Sequence, residues 1–364
     1  MKIYFLIFFS FLFLFSACQE DCYVEDFFVG ETVYNKKDTT IIKIISLLRN
    51  YNNFLKDSRY KGDFWSFKGN KYEIPDYFLK QELAAFSNFD IKTNLIYIHQ
   101  RDSFWIAQLA YQLYKDGIFK GTSCVYNYGI VVETGKLKLC PYIELLEFNI
   151  RKNACASFYS EDKSWLNQKL MDSLEKHNQY LSKMFNVSPK KFKCYVFKNF
   201  SELNYSVGLN VQSNPNIVSH NAYCDYYNSI MYVSSLDESF HELVHLYTNQ
   251  EYPYKNMWFD EGFALMIGGA GDRDINYHLN QLKNYLSKNI FTYSNIQVGH
   301  NSKLLVDVGA LICLKLYNKD GFTGISRLMS YENNEAGFYK AIEEEFGIKR
   351  ENLNEFIRKE IAKY

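Results

Sequence analysis

Apolar positions along the 364-residue chain change their period several times, and each change predicts an element. Ile41, Ile44, Ile45, Leu48 and Phe54 fall near one face of a 3.6-residue repeat, so 41–55 is expected to be an amphipathic helix. A short helix is expected over 77–86, after Pro75. The period then drops to two, and 94–99, 103–114, 124–133 and 136–148 read as strands, the last two joined by a turn at Thr134-Gly135. His99 falls inside this alternation and reads as a sheet residue. From 164 to 185 the helical period returns, with His177 expected on the solvated face. A strand over 191–198 and a short helix from Asn199 to near Gly208 follow, and 221–234 reads as paired strands. Helical patterns over 276–287, 304–317, 336–346 and 351–364 complete the chain.

The order of these elements implies two domains in an α+β chain. Helices followed by a long antiparallel sheet suggest an α+β roll over 40–152, similar in pattern to cystatin-like and nuclear-transport-factor-2-like rolls. Residues 153–364 form the expected second domain.

The N-terminus adds a compartment. A positive start at Met1-Lys2 and an apolar run over 3–15, too short to span a bilayer, fit a secretory signal over 1–17. Leu14-Phe15-Ser16-Ala17-Cys18 resembles a bacterial lipobox, with Phe15 where Leu is usual; an ordinary signal peptide is the alternative. The resemblance implies a lipid on Cys18, a polar tether over 18–39 and a place in the bacterial cell envelope, at the outer membrane or cell surface. Charge is balanced, with 41 basic and 41 acidic residues and no basic block, which argues against a nucleic-acid partner. Beyond Cys18 an odd number of cysteines remains; Cys124 with Cys140 and Cys194 with Cys224 are candidate pairs, and Cys313 reads as a buried free thiol.

Candidate chemistry concentrates at His241-Glu242-Leu243-Val244-His245, an H-E-x-x-H pattern. With about 100° per residue, two histidines four apart share one helix face and can bind one tetrahedral zinc ion. Glu242 then stands beside the pair, and Phe240, Leu243, Val244 and Tyr247 form the face to be buried. Ser235 and Glu238 have the spacing of a capping box. A catalytic zinc site needs a third protein ligand. The apolar run 257–269 contains one acidic pair, and a carboxylate in such a helix is costly unless it is paired or metal-bound. Glu261 is the expected third ligand; Asp260 leaves the helix on another bearing. Gly268-Gly269 reads as a helix stop.

Together, H-E-L-V-H and the later W-F-D-E-G-F-A resemble the gluzincin metallopeptidases, with a spacing closer to small MA-like peptidase domains of bacterial surface proteins than to large aminopeptidases. The resemblance covers about residues 155–364. It implies a thermolysin-like fold, a small mixed sheet with helices carrying the motif. It also implies one Zn2+ held by His241, His245 and Glu261, with Glu242 as general base for water attack on a peptide or protein substrate. The sheet edge for an extended substrate would be 227–234. Where many gluzincins carry a tyrosine that supports the oxyanion, this chain has Val306, leaving Tyr293 and His300 as the nearest candidate donors in sequence. Two functional readings therefore stand: a membrane-anchored zinc metallopeptidase, or a lipid-anchored binding or scaffold protein with a catalytically weak metallopeptidase fold.

Overall fold

The computed structural model describes residues 26–34, 38–56, 62–72, 74–212, 222–290 and 302–364. Cys18, His220, Tyr293 and His300 lie outside the described residues. Helices and strands are mixed, and each of two sheets combines parallel with antiparallel pairing. The chain divides into two compact units, one formed by 1–66, 79–140 and 210–212, the other by 67–78, 141–209 and 213–364.

In the first unit, β1 (Phe27–Val29) is followed by helices α1 (Glu31–Tyr34), α2 (Thr39–Lys56) and α3 (Tyr77–Ala84). Strands β2 (Asp90–Arg101), β3 (Phe104–Lys115), β4 (Ile118–Glu133) and β5 (Lys136–Cys140) then form an antiparallel meander, with β1 parallel to β2 at its edge. Helix α2 buries Ile41, Ile44 and Leu48 of the expected stripe, together with Tyr51, while Ile45 and Phe54 are partly buried. The β4–β5 turn places Thr134 at φ 51° and Gly135 at φ 78°, the left-handed pair that a two-residue hairpin turn requires. His99 is an exposed residue of β2, as expected. The expected strand over 136–148 instead stops at Cys140, because Pro141 has no N–H for the ladder and a 3-10 turn, Tyr142–Leu145, follows.

The second unit is built on the sheet order β10-β11-β8-β7-β6. Its strands are β6 (Asn149–Lys152), β7 (Ala156–Ser160), β8 (Phe192–Val196), β10 (Ala222–Asp225) and β11 (Ile230–Val233). The three central strands run parallel and the two outer ones antiparallel. Strand β6 pairs with β7, and the residues from Pro141 onward cluster with this unit. Helix α4 (Gln168–Phe185) carries the crossover from β7 to β8, and α5 (Phe200–Ser206) and β9 (Leu209–Gln212) follow β8. One sheet face places Phe158, Cys194, Val196, Met231 and Val233 in the core. On the other face Tyr159, Tyr195 and Tyr232 stand in register and stack at 4.6 and 5.4 Å, with Phe148 and Phe78 against them. Both faces being covered, β11 is buried throughout.

Three expectations for this unit are corrected. The strand preceding the H-E-x-x-H helix, expected as a substrate edge over 227–234, is held between β10 and β8; β10 is the outer strand among the described residues. Helix α4 starts at Gln168 behind an Asn167 cap, and residues 163–165 form a separate 3-10 turn. His177 adjoins the buried positions Leu174, Asn178 and Leu181, so it turns against Phe240 instead of facing solvent, with ring centroids 5.4 Å apart.

The cysteine pairings are corrected too: the six described cysteines are free thiols. Cys140 faces Gly129, five residues along β4 from Cys124, a separation of about 17 Å. Cys194 and Cys224 flank Met231 from opposite sides, so two strand spacings of about 4.8 Å lie between them. Either gap exceeds the roughly 7 Å that a disulfide bridges. Cys313 is fully buried as expected, its thiol donating to the Phe259 carbonyl at 3.4 Å.

The remaining helices are α6 (Ser239–Glu251), α7 (Met257–Gly268), α8 (Ile275–Leu286), α9 (Ser302–Asp320), α10 (Phe322–Met329), α11 (Glu335–Phe346) and α12 (Leu353–Ile361). Among the described residues no helix is long and apolar enough to cross a membrane. Two glycine contacts set how α6, α7 and α9 pack. A Cβ on Gly262 would lie 2.2 Å from the Gly309 backbone, and one on Gly268 would lie 2.6 Å from the His241 nitrogen. Backbone therefore meets backbone at both places, which only glycine permits.

Candidate metal centre

Helix α6 begins after a 3-10 turn, Leu236–Glu238, whose cap is Ser235, accepting from the Asp237 N–H at 3.3 Å. The expected capping box is corrected here. Glu238 does not return to Ser235 but accepts from the Gly271 N–H at 3.0 Å, tying the start of α6 to the turn after α7. Leu243, Val244 and Tyr247 are completely buried and Phe240 partly so, which turns His241 and His245 to the other side. Helix α7 is capped by Asn256, whose side chain accepts from the Trp258 N–H at 3.2 Å. Its apolar face carries Phe259, Phe263 and Ala264 into the core and leaves Glu261 facing α6.

His241, His245 and Glu261 converge, with one potential ligand atom from each lying within 4.8 Å of the others. His241 Nε2 is 3.2 Å from Glu261 Oε2, and His245 Nε2 is 3.6 Å from Glu261 Oε1. The other ring nitrogens are engaged. His241 Nδ1 donates to the Gly269 carbonyl at 2.9 Å, and His245 Nδ1 to Asp260 Oδ2 at 3.0 Å. Those bonds fix the orientation of each ring and leave both Nε2 atoms directed at the same place, as in metal-ligating histidines held from behind. Two imidazoles and a carboxylate are a suitable donor set for a three-ligand zinc site with an open position. The residues present thus fit the ion that the sequence motif implies.

Electrostatics agree with the geometry. Burial opposes charge on all three groups, yet the histidines hold the Glu261 carboxyl well below the usual carboxylate range. Burial would depress His245, but Asp260 and Glu261 outweigh it and hold the imidazole well above its ordinary value. His241 is raised in the same way, chiefly by its bond to Glu261 against the cost of burial. Glu242 is buried on α6 and its charge acts on His241.

Several contributors escaped the sequence reading. Asp260 does leave α7 on a different bearing from Glu261, and that bearing leads to the back of His245. Its second oxygen, Oδ1, accepts from the Thr248 hydroxyl at 2.5 Å. Lys255 lies 3.4 Å from Oδ2. Thr248, one turn beyond His245 on the same helix face, was the available signal. Gly268-Gly269 does more than stop α7: Gly268 admits the His241 backbone and Gly269 accepts its ring proton. His278 on α8 bonds through Nδ1 to Asp307 at 3.0 Å. Val306 is half-buried on α9, one turn before Gly309, where the Gly309 contact with Trp258 and Gly262 sets the helix crossing. No family model matches this chain, and no curated protein matches it.

Proposed function

We propose that this chain is a zinc-dependent metallopeptidase of gluzincin type, with a thermolysin-like second unit, held at the bacterial cell envelope by a lipid on Cys18. The observation that carries the reading is the convergence of His241, His245 and Glu261 with each imidazole already oriented from behind. A zinc ion held by these residues supplies Lewis acidity, lowering the pKa of a water in the open position and polarising a carbonyl. Glu242 serves as general base, taking the proton of the attacking water and handing it to the leaving amine. Gly269 and Asp260 keep the imidazoles in the ligating orientation. An extended peptide adds by main-chain bonding at β10, the outer strand, not at β11. Balanced charge without a basic block in the sequence gives no support for a nucleic-acid partner.

A second reading, a lipid-anchored binding or scaffold protein with weak turnover, draws on Val306, which offers no hydroxyl where an oxyanion donor is expected. Loss of such a donor lowers turnover by about 10²–10³-fold. The two readings separate in one experiment on the purified chain supplied with Zn2+. The peptidase reading expects zinc uptake together with cleavage of a peptide library, and loss of cleavage by about 10²–10⁴-fold with zinc retained in Glu242→Gln. Zinc uptake without cleavage selects the binding protein; hydrolysis that survives Glu242→Gln overturns the assignment of the base.

A further inference from the structure

Lys255 is an unusual residue for its place. It lies in the short connection between the two ligand-bearing helices and is only 8% exposed. Its ammonium is bounded by Asn249 Oδ1 at 2.6 Å and Asp260 Oδ2 at 3.4 Å. Both partners lead to one imidazole. Asn249 Nδ2 donates to the His245 carbonyl at 2.9 Å, and Asp260 Oδ2 accepts the His245 ring proton at 3.0 Å. The contacts form a closed ring: His245 backbone, Asn249, Lys255, Asp260, His245 side chain.

A buried ammonium is costly, and a buried ion pair replaced as a whole by well-packed apolar residues is often no less stable, although removing one partner alone is destabilising. Fold stability therefore gives little reason for a lysine here. What it does locally is geometric. Asp260 is fixed through both oxygens, Oδ1 by Thr248 and Oδ2 by Lys255 and His245 together. Turning that carboxylate would break the Thr248 bond and separate the buried charges, so the plane of the His245 ring is set through it. We propose that Lys255 is a positioning residue of the metal centre, acting through Asp260 to hold His245 at its ligating angle. The proposal rests on the metal reading above and adds a residue that the H-E-x-x-H and Glu261 pattern does not contain.

The test uses the full chain, with Zn2+ affinity read by chelator competition, the visible absorption of the Co2+-loaded protein, and the melting temperature of the metal-free protein. Lys255→Met is expected to weaken Zn2+ binding by about 10-fold or more, the range for outer-shell partners, and to shift the Co2+ bands at saturation. A merely structural lysine would lower the metal-free melting temperature and leave the bands of the loaded protein unchanged. Asn249→Ala removes one anchor while keeping every charge, so it serves if Lys255→Met does not fold; a smaller change in the same direction is expected. Wild-type affinity and wild-type bands in the folded variants would overturn the positioning role alone. Failure of the unaltered chain to take up Zn2+ or Co2+ would overturn the metal reading, and the positioning role with it.

Discussion

The second unit contains two buried aspartate–histidine pairs that look alike taken singly. His245 meets Asp260 and His278 meets Asp307, each through Nδ1 at 3.0 Å and each with both partners below 10% exposure. The difference lies at the other ring nitrogen. His245 Nε2 points at Glu261 and shares that carboxylate with His241. His278 Nε2 is buried and has no hydrogen-bond partner among the described residues. An oriented imidazole is thus not a site by itself. A metal site needs a second and third ligand at the same point, and among the described residues only His241, His245 and Glu261 show that convergence.

Mutations can break this comparison, and the largest effect is expected at the converging end. Glu261→Ala should weaken Zn2+ binding by more than about 100-fold, beyond the usual cost of an outer-shell change, whereas His278→Leu should leave zinc content unchanged. Metal analysis of the two variants side by side reads this directly; loss of zinc in His278→Leu would erase the distinction. Stability should show the reverse. His278→Leu strands the buried Asp307 and should cost about 3 kcal/mol in denaturant unfolding of the metal-free chain. Adding Asp307→Leu should recover most of that loss. Gly268→Ala should come next, at about 1–3 kcal/mol, because its Cβ meets the His241 backbone; zinc affinity should fall with it.

A smaller effect concerns pH. Burial against Phe240 lowers the His177 pKa to about 4 from an ordinary 6.5, partly offset by a hydrogen bond to the Phe240 backbone. The unfolded chain therefore binds the proton more readily in this window. The contribution is fully present above pH 6.5 and is lost as pH falls through about 4, amounting to about 3 kcal/mol. Unfolding measured across this range should show the slope, and His177→Gln should flatten it.

What the sequence made legible follows from what repeats locally. The α2 helix, the Thr134-Gly135 hairpin, the α6 motif and Glu261 are written in periodicity or in residue chemistry, and the structure shows the helix, the turn and the convergence of His241, His245 and Glu261. Misreadings fall where distant parts of the chain decide. The period of α4 did not reveal that His177 would meet Phe240, over sixty residues away. Adjacent cysteines in a list were not adjacent in register. Strand β11 resembled an edge until β10 paired with it. Likewise Glu238 found Gly271, and His278 found Asp307, across connections that no local pattern specifies. His241, His245 and Glu261 were visible because a metal ligand must be a histidine, a cysteine or an acid; the Gly269 carbonyl behind His241 was not, because a backbone carbonyl carries no signature.

The two glycine contacts have a consequence for the spacing of the ligands. Helix α7 touches α9 through Gly262 and α6 through Gly268, in both cases main chain against main chain. Side chains yield by changing rotamer, whereas touching backbones yield only by moving whole helices. The span between Glu261 and the two imidazoles is accordingly a property of helix spacing and has little elasticity. Under the proposed metal reading, the contacts at Gly262 and Gly268 would fix how closely the helices carrying His241, His245 and Glu261 approach, although neither glycine touches the ion.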